Sequence, residues 1–348
     1  MKRIPVHLDF DTGVDDAIAL LCALLCQDQI EILSVSAVAG NVSLEHTAQN
    51  TLDIVRGMGE AQIKVVKGAE KPLVRDLHCA VSHGETGLGD VVIPHVQPDF
   101  YEKSVEDAIY ESAEKAEGEL IYVGVGPQTN LALALKKYPR LSGKIRRIVL
   151  MGGSLIGGNM TQASEFNAYV DPEALHAVFQ AGVPITMVGL DVTLKTELPD
   201  WVLKRLQNMN NLHAKLAAQI LDFIQRRSCQ YGFDKANLHD ALAFCAVVCP
   251  DVLQTKPYYV DVETKGELTR GMTVADFRNV CTEKTPNADC AVEVDIDRFW
   301  NWLVTVFSKE ELRFEKKVLK KCNISGNPLR PVKRRGVLCP CAFFLTAF

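Results

Sequence analysis

Ile4-Pro5-Val6-His7-Leu8-Asp9-Phe10-Asp11-Thr12-Gly13-Val14-Asp15-Asp16 stands near the start of the chain, and its reading decides the rest. Residues 4–8 are short and apolar, which predicts a first strand. Four carboxylates follow within eight positions. Asp9 and Asp11 are two apart, so in an extended chain they point the same way. Gly13 permits a tight turn. Asp15 and Asp16 then fall in the first turn of a helix, where the helix dipole favours negative charge. Ionising all four together is costly, and a bound cation removes that cost. The donors on offer are oxygens, which suit Ca²⁺ or Mg²⁺ rather than zinc or copper. A helix cap with a solvated acidic turn is the plainer alternative.

Working outward, strand and helix patterns alternate. Ala17, Leu20, Leu21, Leu24 and Leu25 give residues 15–26 a helical apolar pattern. Strands are predicted at residues 32–38, 120–123, 148–151 and 185–188, with late strands at 258–263 and 291–294. Helices are predicted at residues 43–56, 129–137, 172–180 and 239–249. A long helical region spans residues 198–227, broken near 208–211, and a closing helix spans 298–307. Pro172 suits the first turn of its helix. The alternation predicts an α/β fold, with a mainly parallel sheet and helices on both faces. No repeat or composition break marks a linker, so residues 1–310 read as one large domain.

The composition sets bounds. The chain has 348 residues with 38 basic and 43 acidic side chains, for a formal net charge of -5. Hydrophobic residues make up 47% and charged residues 23%, enough to bury a large core. The acidic balance argues against a general nucleic-acid partner. There is no run of 18 or more apolar residues, so no membrane span is expected. The start turns charged too soon for a secretory signal. Among the eleven cysteines, Cys22, Cys26, Cys245 and Cys249 fall in apolar helical patterns and read as buried thiols. A reducing cytoplasm is the expected location.

Residues 311–348 read as a tail, basic and then apolar. Lys316, Lys317, Lys320, Lys321, Arg330, Lys333, Arg334 and Arg335 come first, followed by an apolar run at 337–345 too short to span a bilayer. Cys339-Pro340-Cys341 lacks the two-residue spacing of a redox or zinc pair. The tail reads as a disordered or atypical extension.

Two familiar acidic motifs fit the first cluster less well. An EF-hand loop needs oxygen ligands spread over about twelve residues between two helices. The haloacid-dehalogenase-type phosphatase motif matches Asp9-Phe10-Asp11 but meets Gly13 where Thr or Val is usual. The cluster followed by Ala17-Ile18-Ala19-Leu20 closely resembles the amino-terminal signature of the inosine-uridine-preferring nucleoside hydrolases. That signature reads Asp-x-Asp-Pro-Gly-x-Asp-Asp, and Thr12 replaces its usual Pro. Further matches follow in order: Ala39-Gly40-Asn41, His83-Gly84-Glu85-Thr86-Gly87-Leu88-Gly89, Gly126-Pro127-Gln128-Thr129-Asn130-Leu131-Ala132, and Met151-Gly152-Gly153 with Asn159. Glu165-Phe166-Asn167, Asp171-Pro172-Glu173-Ala174, His239-Asp240-Ala241-Leu242-Ala243 and Leu268-Thr269-Arg270-Gly271 complete the series. The resemblance covers roughly residues 4–307.

The resemblance implies a single α/β domain that hydrolyses the N-glycosidic bond of a ribonucleoside, with one Ca²⁺ and no organic cofactor. It implies that Asp11, Asp16, Asp240 and the backbone carbonyl of Thr129 hold Ca²⁺, which in turn holds the nucleophilic water and the ribose 2′- and 3′-hydroxyls. Asp11 is then also the general base. Asp15, Asn159, Glu165 and Asn167 carry over as ribose binders, with Met151 lining the sugar site and Asn41 near the water. Asp9 orients its neighbours from behind. His239 is the candidate for assisting the departing base, and His83 sits on the base side. The purine-restricted branch typically has Trp at both of these places, so the two histidines point to an inosine-uridine or pyrimidine preference. Phe223, Gln225, Arg226, Arg227, Tyr231 and Phe233 are candidates for the far wall of the base pocket. A homodimer or homotetramer is the family expectation. A Mg²⁺-dependent phosphatase and a non-catalytic nucleoside-binding protein are the competing readings.

Overall fold

The predicted alternation folds into an eight-stranded sheet. In the computed structural model, which describes residues 2–280 and 283–321 with side chains through residue 309, the first half reads β1 (Ile4–Phe10), α1 (Val14–Leu25), β2 (Ile30–Ala37), α2 (Leu44–Gly57), β3 (Val65–Lys67), α3 (Val105–Lys115), β4 (Leu120–Gly124), α4 (Thr129–Lys137) and β5 (Ile145–Met151). Next come α5 (Phe166–Val170), α6 (Pro172–Phe179), β6 (Ile185–Val188), α7 (Leu190–Thr193), α8 (Asp200–Gln207), α9 (Leu212–Gln230) and α10 (Asp240–Val248). The rest comprises β7 (Leu253–Tyr258), β8 (Val260–Val262), β9 (Thr273–Ala275), β10 (Ala288–Val294) and α11 (Ile296–Lys321).

The sheet order is β3-β2-β1-β4-β5-β6-β10-β7, and β8 pairs with β9 apart from it. All neighbours in the large sheet are parallel except the edge strand β7, which runs antiparallel to β10. The order reverses between β1 and β4. Open α/β sheets bind ligands at the carboxyl ends of strands beside such a reversal.

Two apolar layers cover the sheet, and β5 shows why its carboxyl half, Ile148–Met151, is continuously apolar. Val149 and Met151 pack into the layer containing α1, α9, α10 and α11, whereas Ile148 and Leu150 pack into that of α3, α4 and α6. Every residue of α1 is buried, so its apolar character is not confined to one stripe. Strand β1 sends Val6, Leu8 and Phe10 into the first layer. Its alternate residues His7 and Asp9 are polar and buried. His7 is hydrogen-bonded to Ser34 and Ser36 and stacks on Tyr122 with ring centroids 5.4 Å apart. Burial lowers the His7 pKa to about 3, so this ring is a neutral part of the core.

Several sequence expectations need adjusting. Residues 258–263 are not one strand: Asn287 takes the Val260 N–H at 2.8 Å and donates to the Val260 carbonyl at 2.9 Å, which diverts the chain from β7 into β8. The break before α9 stands where expected, because Asn211 Oδ1 caps that helix at Ala214 N, 2.7 Å away. β3, α3 and β9 carry too short or too polar a pattern to have been read. Cys249 is only partly buried, unlike Cys22, Cys26 and Cys245. The closing helix runs from Ile296 to Lys321, well beyond 298–307, so the expected tail begins as helix. Residues 322–348, including the Arg330–Arg335 basic group and the apolar run, lie outside the described residues. By contacts the chain divides into residues 1–311, which hold the whole sheet, and residues 312–348. Among the described residues no helix is long and apolar enough to cross a membrane.

Candidate active site

The acidic cluster sits where β1 ends, at the strand-order reversal. The Gly13 N–H donates to Asp16 Oδ2 at 3.0 Å, so the carboxylate closes the first turn of α1. Asn41 joins the cluster from the end of β2. Its backbone N–H donates to Asp11 Oδ2 at 2.8 Å and its side-chain amide to Asp16 Oδ2 at 2.9 Å. Thr12, where the signature usually has Pro, is buried with its hydroxyl 2.6 Å from that of Thr51. α10 brings in Asp240, more than two hundred residues away in sequence. Carboxylate oxygens of Asp15, Asp16 and Asp240 all lie within 4.8 Å of one another, and all three residues are buried.

This arrangement needs positive charge or protons. Burial, then the neighbouring Asp15, raises the Asp16 pKa to about 7. Burial followed by the charge of Asp16 pushes Asp11 well above the usual carboxylate range, and burial with Asp15 does the same to Asp240. Burial raises Asp9 to about 6 despite bonds from Ser36, Tyr122 and Asn130. Asp16 Oδ1 is buried and has no hydrogen-bond partner. Crowded oxygens, one of them unpartnered, fit a hard divalent cation.

A cavity of about 290 Å³ opens above the cluster, a size for a small ligand. Its lining brings together Asp11, Asp15, Asn41, His83, Met151, Asn159, Glu165, Asn167, His239 and Asp240. Asp16, Thr129 and Asp9 lie outside that lining. Thr129 is the first residue of α4.

Hydrogen bonds restrict what each polar group offers. The Val14 N–H donates to His83 Nδ1 at 3.1 Å, so the neutral ring carries its proton on Nε2. His239 Nδ1 lies 2.9 Å from the Thr193 hydroxyl. Burial lowers both histidines below the ordinary range, with Asp15 opposing the shift. The Asn167 amide donates to the Val125 carbonyl at 2.7 Å and to the Met151 carbonyl at 3.2 Å, which leaves its Oδ1 as an acceptor. Glu165 caps α5, accepting from Asn167 N and Ala168 N, and also from Gly153 N. Asn159 Oδ1 accepts from Phe166 N at 2.9 Å. Glu165 and Asn167 therefore stand at a helix start rather than in an extended loop.

Close packing around Asp11 explains two glycines. A Cβ on Gly40 would lie 2.2 Å from Asp11 Oδ2, and one on Gly126 would lie 2.7 Å from Asp11 Oδ1. Gly40→Ala should therefore displace Asp11 and reduce turnover by about 10²-fold, the scale of a 1 Å misplacement at a reacting group. Comparing kcat with the melting temperature checks this; unchanged kcat would show that Asp11 has slack.

The family model described as inosine-uridine preferring nucleoside hydrolase matches residues 6–301. The chain belongs to this nucleoside hydrolase family. It is 39% identical over 301 residues to the pyrimidine-specific ribonucleoside hydrolase RihA of Salmonella gallinarum, covering 85% of this chain and 96% of that protein. Among solved structures, the purine-preferring ribonucleoside hydrolase from Gardnerella vaginalis superposes with a TM-score of 0.82 at 35% identity, over 88% of this chain and 98% of that one. A plant nucleoside hydrolase, PpNRh1, also reaches 0.82 at 27% identity, over 86% and 98% of the two chains. These likenesses support a nucleoside hydrolase and give no support to a phosphatase or a non-catalytic binder.

Two features of this nucleoside hydrolase depart from the sequence reading. Asp15, expected at the ribose, joins Asp16 and Asp240 in the convergent group, and Asn41 ties Asp11 to Asp16. None of Phe223, Gln225, Arg226, Arg227, Tyr231 and Phe233 lines the cavity. Arg226 pairs with Asp222 and Asp90, Gln225 holds the Asp234 carbonyl, and Phe223 packs against Gly89. Arg227 stacks over Tyr231 and donates to the Val81 carbonyl at 2.8 Å. The rest of the cavity lining comes from residues 78–82, Val125, Met160 and Phe166. The His83-Gly84 match could have drawn attention to residues 78–82, but nothing in sequence marked Met160.

Proposed function

We propose that this cavity hydrolyses ribonucleosides with one Ca²⁺ held at the cluster of Asp11, Asp16 and Asp240, and that pyrimidine ribonucleosides are preferred. The observation that carries the metal reading is Asp16 Oδ1, buried without another partner where the carboxylates of Asp15, Asp16 and Asp240 converge, with Asp11 tied to Asp16 through Asn41. Bound there, Ca²⁺ supplies positive charge that neutralises the cluster and makes a water molecule more acidic. Asp11 accepts the proton from the attacking water. Asn41 fixes Asp11 and Asp16 in one geometry. Asn167 offers Oδ1 to a ribose hydroxyl, with Asp15 and Asn159 as further contacts. Glu165 holds the Gly153 and α5 backbone that frames the sugar, and adds its own negative charge near the developing positive sugar.

On the base side, His83 presents an Nε2–H donor. A donor there suits a base with a carbonyl beside the glycosidic bond, as in uracil and cytosine. His239 is the group placed to donate to the leaving base. Burial lowers its pKa, which favours the neutral ring, and a neutral imidazole still carries one N–H to donate. The relatives named pyrimidine-specific support this base preference.

The test is release of the free base and sugar (ribose, or 2-deoxyribose from the deoxynucleoside) from uridine, cytidine, inosine, adenosine and 2′-deoxyuridine, with Ca²⁺, after chelation, and after Ca²⁺ is restored. Uridine or cytidine should be cleaved fastest, chelation should abolish turnover, and Ca²⁺ should restore it. 2′-Deoxyuridine should be slower by about 10²-fold or more, because it leaves polar groups of the ribose site unpaired. Absence of ribose from every substrate, in folded Ca²⁺-loaded protein, would overturn the proposal.

A further inference from the structure

We propose that Thr193 is a positioning residue for His239, its hydroxyl holding the imidazole in the tautomer that carries its proton on Nε2. That is the form able to donate toward a departing base, so the role rests on the reading above in which His239 assists the leaving base. Thr193 is fully buried at the end of α7, and its hydroxyl lies 2.9 Å from His239 Nδ1. A threonine in a helix can return its hydroxyl to a carbonyl of its own helix, as Thr51 does to the Thr47 carbonyl at 2.7 Å. Thr193 instead reaches a ring 46 residues away, in a side chain that lines the cavity.

The direction of this bond decides the ring. A buried hydroxyl needs an acceptor for its proton. Among the described residues the Thr193 hydroxyl has no hydrogen-bond partner besides His239 Nδ1. Nδ1 therefore accepts, and the neutral ring keeps its proton on Nε2. No described residue engages that Nε2, which leaves its N–H for a ligand. Accepting at Nδ1 also polarises the ring and makes the Nε2–H a stronger donor. The backbone on which His239 stands is fixed by other bonds. Thr196 Oγ1 donates to the Leu238 carbonyl at 2.8 Å and accepts from Leu238 N at 2.9 Å. The Asn237 amide donates to the Leu194 carbonyl at 2.9 Å, and Leu198 N to the Ala236 carbonyl at 2.8 Å. The Thr193 hydroxyl thus acts on the ring alone. Without it the imidazole is free to rotate and to adopt the other tautomer, whose bare Nε2 repels an electron-rich leaving base.

The experiment compares the best ribonucleoside with para-nitrophenyl β-D-ribofuranoside, using the full-length Ca²⁺-loaded protein. Nitrophenolate departs without a donor, so its release needs the sugar and water machinery but not His239. Thr193→Val keeps the branched shape and removes the hydroxyl. It should lower kcat on the ribonucleoside about tenfold or more, a share of what a positioned acid contributes. KM and nitrophenyl riboside turnover should stay within about threefold of the parent, as expected when only a transition-state interaction is lost. Thr193→Ser keeps the hydroxyl and should keep ribonucleoside turnover within about threefold of the parent. If Thr193→Val fails to fold, Thr193→Ala against Thr193→Ser carries the comparison. Equal losses on both substrates, or no loss on the ribonucleoside, would overturn the inference. His239→Ala separates the two readings. If it spares the ribonucleoside, the leaving-group reading fails and the role of Thr193 with it. If it removes ribonucleoside turnover alone while Thr193→Val does not, only the positioning role fails. If neither substrate is cleaved, the ¹⁵N resonances of the His239 ring decide: an Nε2–H tautomer in the parent that is lost in Thr193→Val supports the role, and an Nδ1–H tautomer in the parent overturns it.

Discussion

Asp11→Asn is expected to lower ribose release from the best ribonucleoside by about 10³-fold or more, with the protein still folded. The substitution keeps the shape of the side chain but removes the negative charge and the basic oxygen. The burial and crowding that raise Asp11 also make it a stronger base than an exposed aspartate. The amide also meets the Asn41 N–H at Oδ2, so one orientation is retained. Loss of kcat with little loss of melting temperature would support the role of base. A variant within tenfold of the parent would move that role to another cavity carboxylate, with Asp15 next in line.

Calcium should raise the melting temperature by about 5 °C or more at saturation, and by more at pH 8 than at pH 5.5. The sign follows from the raised carboxylates. Aspartates in an unfolded chain titrate near their ordinary value of about 3.9, whereas burial raises Asp9 to about 6 and Asp16 to about 7 here. Between about pH 4 and pH 7 these carboxylates hold more protons in the native metal-free protein than in the unfolded chain. Their contribution to stability falls as pH rises through that window. Ca²⁺ competes with those protons, so its binding strengthens over the same range. Differential scanning fluorimetry with Ca²⁺ or chelator at both pH values reads this directly. A melting temperature indifferent to Ca²⁺ at pH 8 would remove the metal from the proposed mechanism.

Much of the fold is legible in the order of local patterns. The largely apolar β1, the glycine-bearing acidic turn and the wholly buried α1 each depend on neighbours within a few residues. Strand β3 and helix α3 were not legible. β3 is three residues of edge strand, and α3 follows a long stretch, residues 68–104, that has no regular periodicity. The division of residues 258–263 depended on Asn287, which no local pattern reveals.

The site divides along the same line. Asp9, Asp11, Asp15 and Asp16 are placed together by their own sequence, since strand, turn and helix start leave little other arrangement for eight consecutive residues. That Asn41, His83, Asn167, His239 and Asp240 share a cavity with this cluster emerged from the sequence only through the ordered motifs of a family. The three-dimensional packing decided the rest. It put Asp15 with Asp16 and Asp240, and left the aromatic and basic residues of α9 out of the cavity lining. It also turned Glu165 toward backbone N–H groups and linked Thr193 to His239. Each of these depends on contacts between elements tens to hundreds of residues apart. Periodicity and spacing record only which face a residue takes on its own element, whereas a buried carboxylate's partner is set by how whole elements pack.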